Sequence, residues 1–109
     1  MTESIDRILA ALADPHRRRA VELLVERPRR AGELARALDL PAPALSRHLR
    51  LMKGCGLVEE SHPEFDARVR IYSLKDGAMT DLKQWLANTE RMWTTELTAF
   101  KTHVEKKPR

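Results

Sequence analysis

Two short helical segments joined by a three-residue turn constrain this chain more than any other feature. In residues 31–38 (AGELARAL), Leu34, Ala35 and Leu38 share one helical face. In residues 42–53 (APALSRHLRLMK), about 100° per residue gathers Leu45, Leu49 and Met52 on one side. Asp39 to Pro41 is the turn between them. Two further helices are expected upstream. Ile5, Ile8, Leu9 and Leu12 recur at helical spacing, and Asp14-Pro15 reads as a capped helix start with Ala20, Val21, Leu24 and Val25 as its buried stripe and Pro28 as its stop. Gly54 and Gly56 bracket Cys55 and end the fourth helix, because glycine accepts the left-handed conformation of a helix terminus.

Beyond Gly56 the hydrophobic period changes. Leu57 and Val58 begin one strand and Val69 to Leu74 form a second, with Ser61 to Asp66 as the hairpin connection. A last helix is expected from a cap at Asp76 to about Val104. The order helix, turn, helix, two-stranded hairpin is that of a winged helix-turn-helix: a mainly α fold with a small β wing. The expected layout is one domain over 1–109, with the helix-turn-helix at 31–53, the wing at 57–74 and the long helix at 76–104. In this arrangement the second helix of the pair enters the major groove of DNA and the hairpin touches flanking backbone or minor groove.

The charges suit that use. Residues 14–53 carry ten Lys/Arg against five Asp/Glu, and residues 101–109 carry four against one, although the whole chain is only +4. Clustered basic charge is the electrostatic footprint of a nucleic-acid binder. On helix 42–53, Pro43, Arg47 and Arg50 lie opposite the core face, with Ser46 and Lys53 on its flank and no carboxylate among them. Arginine grips guanine edges bidentately or holds phosphate. At 109 residues with one cysteine and no apolar run of eighteen, the chain is not expected to be a membrane protein, a disulfide scaffold, a zinc finger or a large enzyme. Its acidic, amphipathic start does not read as a secretory signal, so a cytoplasmic location is expected.

The last helix bears on quaternary structure. A rod of this length is about 40 Å long, whereas a compact domain of this size has a radius of gyration of about 13 Å. Trp85, Met92, Trp93, Leu97 and Phe100 would be left wet on a single chain, so a homodimer through this helix is expected, with Ile5, Ile8 and Leu12 of the first helix beside it.

The segments ALADPHRRRAVELL, AGELARALDLPAPALSRHLRLMKGCGLVEE and RIYSL resemble the ArsR/SmtB family of bacterial winged-helix repressors, over about residues 5–75. The stretch QWLANTERMWTTELTAFKTHVEKK looks like a branch of that family with a long aromatic carboxy-terminal helix. The resemblance implies a homodimer that occupies a pseudo-palindromic operator in double-stranded DNA and blocks transcription. Where a small-molecule effector exists, it would lower DNA affinity allosterically. It also implies that Ser46, Arg47 and His48 hold recognition-helix positions and that Arg68 and Arg70 lie in or beside the wing.

Some positions depart from the family's pattern. Metal-sensing members carry cysteine pairs in the helix matching 31–38, or several Asp/His ligands on the last helix. Here the third helix has no cysteine and the last helix has one histidine, His103, with no second ligand within one helical turn on its face, so no metal or other cofactor is expected at either site. Pro41, Ala42, Pro43 and Ala44 stand where polar residues open the recognition helix, shifting base reading toward apolar contact with thymine methyls and toward Arg47 and Arg50. Glu64 and Asp66 at the wing tip repel phosphate, leaving Arg68 and Arg70 to act for the wing. His48 at the edge of the buried face reads as packed or phosphate-touching, His16 as a surface residue, and Cys55 as a small hydrophobe. No residue pattern argues for catalysis. Two other readings stay open: a winged-helix module that binds protein instead of DNA, and a metal sensor with an unfamiliar site.

Overall fold

The computed structural model describes residues 2–106, with side chains over 5–104. Five helices, α1 (Thr2–Leu12), α2 (Pro15–Glu26), α3 (Ala31–Leu38), α4 (Ala42–Gly54) and α5 (Thr80–Lys106), accompany three short strands, β1 (Arg29–Arg30), β2 (Val58–Ser61) and β3 (Ile71–Leu74). The sheet is antiparallel in the order β1-β3-β2, with Glu60 opposite Tyr72 and Val58 opposite Leu74.

The helix starts and stops follow local chemistry. Asp14 caps α2: its Oδ1 accepts from the backbone N–H groups of His16 (2.8 Å) and Arg17 (3.2 Å), and Pro15 enters the first turn. Asp39 ends α3 in the left-handed region at φ 54°, where an aspartate is tolerated better than most residues. Nothing side-chain-borne caps α4, whose N-cap is Pro41. Gly56, at φ 83°, turns the chain from α4 into the wing.

One core joins these elements. Leu34 of α3 and Leu45, Leu49 and Met52 of α4 pack with Ala20, Val21, Leu23 and Leu24 of α2, Leu57 and Val58 at the start of the wing, and Tyr72 of β3. This is the winged helix-turn-helix anticipated from the chain's pattern. Several boundaries differ from it. Val25 is 68% exposed and Leu23 is buried in its place; about 100° per residue sets the two positions almost equally far from the Ala20–Val21–Leu24 centre, so the packing around α2 and not the helical angle decides between them. The second wing strand begins at Ile71, not Val69, because the Val69 carbonyl accepts from His62 Nδ1 (3.0 Å) instead of joining the ladder. Asp76 lies in a turn and does not cap α5; Gly77 at φ 75° cannot continue a helix, and α5 starts at Thr80. β1 is a strand that the sequence pattern did not indicate, and it borders the Ala31 N–H donation to the Arg70 carbonyl (3.3 Å).

The first helix closes one end of the core and α5 leaves it. Ile8 is 3% exposed and sits in this chain's own core, and Leu12 packs against that core. Ile8 is therefore not free to meet a second chain, a correction to its expected place at a dimer contact; Ile5 is half-buried and Leu9 is the more exposed residue of α1. Leu82 is the last buried residue of α5, and every described side chain from Lys83 to Val104 is exposed. The helix projects from the domain instead of folding back on it. The molecule measures 74 × 26 × 24 Å, with a radius of gyration of 19.6 Å.

Candidate nucleic-acid interface

The outward face of α4 is set by its inward one. With Leu45, Leu49 and Met52 anchored in the core, Pro43, Arg47, Arg50 and Lys53 are exposed, and Ala44, Ser46 and His48 are half-buried at the margins. Among the described residues, Arg47 and Arg50 make no hydrogen bond or ion pair, so both guanidiniums remain available to a partner. Lys53 is less free. Its Nζ lies 3.4 Å from Glu60 Oε1, the same oxygen that accepts from the Tyr72 hydroxyl at 3.1 Å. Burial pushes the Glu60 carboxyl up, but hydrogen bonds from Tyr72 and Lys53 and the nearby Arg70 charge outweigh it, and the group ends below the usual carboxylate range.

Helix α4 and the sheet meet around a cavity of about 180 Å³ lined by Ser46, Arg50, Lys53, Glu60, Arg70 and Tyr72. The fold thus draws together four of the expected DNA-contacting side chains, Ser46, Arg50, Lys53 and Arg70, from segments twenty residues apart. Pro43 and Ala44 occupy the amino-terminal end of α4. Arg68 is exposed in the wing loop but is paired locally, its Nε 3.3 Å from Asp66 Oδ1.

His48 is held from behind. Arg17 Nη1 donates to its Nδ1 (3.0 Å), while Arg17 Nε donates to the Ala11 carbonyl (2.7 Å). One guanidinium, carried by α2, therefore ties the end of α1 to α4. Burial keeps the His48 imidazole below its ordinary pKa, with Arg17 adding to the effect and Asp14 opposing it. At its edge His48 meets His16, the two rings T-shaped with centroids 5.8 Å apart.

Two features escaped the sequence pattern. Arg30 and Arg36 join Arg68 and Arg70 around a groove of about 310 Å³ between the start of α3 and the wing, also lined by Gly32 and Glu33. The Arg29-Arg30 pair after Pro28 was the available signal; β1 is what carries Arg30 alongside the wing. Arg29 itself is engaged with Glu26 (2.8 Å) and Arg27 with Glu33 (2.8 Å). At the wing tip Phe65 is 83% exposed between Glu64 and Asp66, an aromatic standing clear of the protein.

The comparisons agree with this geometry. Residues 14–60, covering α2 through the first wing strand, match the family described as "Bacterial regulatory protein, arsR family". The chain is 37% identical over 97 residues to the HTH-type transcriptional regulator Rv2034 of Mycobacterium tuberculosis (strain ATCC 25618 / H37Rv), covering 89% of this chain and 85% of that protein. It is 25% identical over 84 residues to the transcriptional repressor SdpR of Bacillus subtilis (strain 168), covering 77% and 90% of the two chains. The crystal structure of an ArsR family transcriptional regulator, RHA00566, superposes with a TM-score of 0.76 at 28% identity, over 86% of this chain and 94% of that one. With the fold, the basic α4 face and these relatives in agreement, the chain belongs to the ArsR family of bacterial regulatory proteins and is a winged helix-turn-helix DNA-binding transcriptional regulator.

Proposed function

We propose that the chain is a homodimeric, sequence-specific repressor working on DNA in the cytoplasm. In this reading α4 of each subunit lies in successive major grooves of a pseudo-palindromic operator. The observation that carries it is the pair Arg47 and Arg50, exposed, without a side-chain partner among the described residues, and fixed in direction by Leu45, Leu49 and Met52 on the reverse of the same helix. Ser46, Lys53 and His48 flank that pair, Pro43 and Ala44 offer apolar contact, and Arg68 and Arg70 hold phosphate from the wing. Binding needs no metal or cofactor in this scheme. The repressor role is drawn by analogy with SdpR, whose name states it.

Dimerisation is supported by α5. Counted from Leu82, about 100° per residue puts Trp85, Leu86, Met92, Trp93, Leu97, Phe100 and Val104 on a stripe that continues the core-facing side of the helix. Trp93 and Phe100 are each 66% exposed and Met92 is 68% exposed on a single chain. Pairing of two such stripes removes them from water, and an effector, where one exists, would enter between them. Half-exposed Ile5 and Leu12 lie at the base of this helix.

The test is fluorescence anisotropy with fragments of the chain's own promoter. Arg47→Ala and Arg50→Ala are each expected to weaken binding roughly tenfold to a hundredfold, as expected of a bidentate base contact. Affinity is expected to fall steeply with added salt. Unchanged binding in both variants would remove α4 as the reading helix.

A further inference from the structure

Asp14, His16 and His48 each offer a ligand atom, and the three atoms lie within 4.8 Å of one another. Asp14 and His16 come from the cap and first turn of α2, and His48 comes from α4. We propose that these three side chains form a binding site for a divalent transition-metal ion, zinc foremost, that clamps the first turn of α2 to the recognition helix.

Two imidazoles and one carboxylate are a donor set that zinc accepts, with a fourth position left to water. Ligands about 2.1 Å from a tetrahedral ion stand about 3.4 Å apart, so the three atoms need to converge by roughly 1.4 Å. All three residues are half-buried, neither locked in the core nor free in solvent, and small ring rotations suffice. Asp14 uses Oδ1 for both of its capping hydrogen bonds, so its second oxygen can ligate while the cap stays intact. The helix end carries roughly half a positive charge, which opposes a cation but is smaller than the full charge on the carboxylate.

The nearest competitor is Arg17, whose guanidinium donates to His48 Nδ1. A neutral imidazole that ligates through one nitrogen carries a proton on the other, so it cannot accept from Arg17 as well. Metal binding therefore displaces the Arg17 guanidinium from His48, exchanging a tie that runs from α4 through Arg17 of α2 to the Ala11 carbonyl of α1 for one that joins α4 to Asp14 and His16 alone. If α4 reads DNA as proposed above, the exchange reaches the reading helix directly; the site itself does not depend on that reading.

Titration of the intact protein with zinc chloride, followed by calorimetry, and with Co²⁺, followed by its visible d–d bands, tests the site. One ion per chain with tetrahedral Co²⁺ bands is expected. His16→Gln is expected to lower affinity at least about a hundredfold, since loss of an outer-shell partner alone costs 10–100-fold. Arg17→Gln, which removes the competing cation, is expected to raise it. His62→Gln, in the wing, is expected to bind as the unaltered protein does, and melting curves establish that each variant is folded. No binding by the unaltered protein, undiminished binding by His16→Gln, or a loss confined to His62→Gln each overturns the site. Anisotropy with zinc present addresses α4 separately: DNA affinity that responds to zinc in the unaltered protein and not in His16→Gln supports the exchange of ties. Zinc bound at this site with no change in DNA affinity overturns that coupling. A failure to bind DNA in metal-free buffer would count against the repressor reading and not against the ion.

Discussion

Single side chains cap the start of α2 and join the end of α4 to the sheet. Asp14, at the start of α2, accepts two backbone N–H donors that would otherwise be unsatisfied. Asp14→Ala is expected to cost about 1 kcal/mol, with Asp14→Asn nearly neutral; thermal unfolding in metal-free buffer distinguishes them. At the wing, Glu60 is joined to Tyr72 and Lys53, and its folded pKa lies below its ordinary value. A depressed carboxylate contributes stability that is complete above its unfolded pKa and is lost as pH falls through the folded one. Glu60→Gln is therefore expected to lower stability at neutral pH and to flatten the decline in melting temperature on acidification. A variant with the original acid slope would show that this triad does not govern it. These pairings were not legible in the sequence. His16 and His48, thirty-two positions apart, read as a surface residue and as a packed or phosphate-touching one before the fold put their rings in contact.

At the scale of elements, legibility followed the strength of the local signal. The helices α2, α3 and α4 carry several apolar positions each and end at Pro, Gly or Asp, so their extents were readable within a residue or two, whereas α1 starts at Thr2, ahead of its first apolar position, Ile5. β1 has two residues and no period to detect, and it exists because β3 supplies its hydrogen-bond partners. The start of α5 was misplaced because Asp76 has the chemistry of a cap while its neighbour Gly77 has the backbone of a turn. The α4 face was read correctly from angles alone, but the acidic neighbour of Lys53 comes from another element and is invisible on a helical projection. The turn between α3 and α4 rests on Asp39 at φ 54°. Asp39→Ala is expected to destabilise by about 1 kcal/mol, because a Cβ without a local hydrogen-bonding group is strained there, whereas Asp39→Gly is not. Denaturant midpoints of the two variants decide the matter; equal loss in both would assign the effect to the carboxylate and not to the backbone.

Across the whole molecule, the contrast is between a closed core and an open rod. Leu82 belongs to the core, and the apolar positions after it are exposed. Phe100→Glu places a charge on the outer part of that stripe, far from the helix-turn-helix. It is expected to yield a monomer in sedimentation while leaving the far-UV spectrum of the domain intact, with operator affinity falling because two half-sites no longer bind as one unit. A Phe100→Glu chain that sediments as the unaltered protein does would place any self-association elsewhere. The stripe also links folding to abundance. If its partner is a second copy, α5 is complete only when chains meet, so unfolding temperature climbs with total protein and dilution frays the rod from its free end inward.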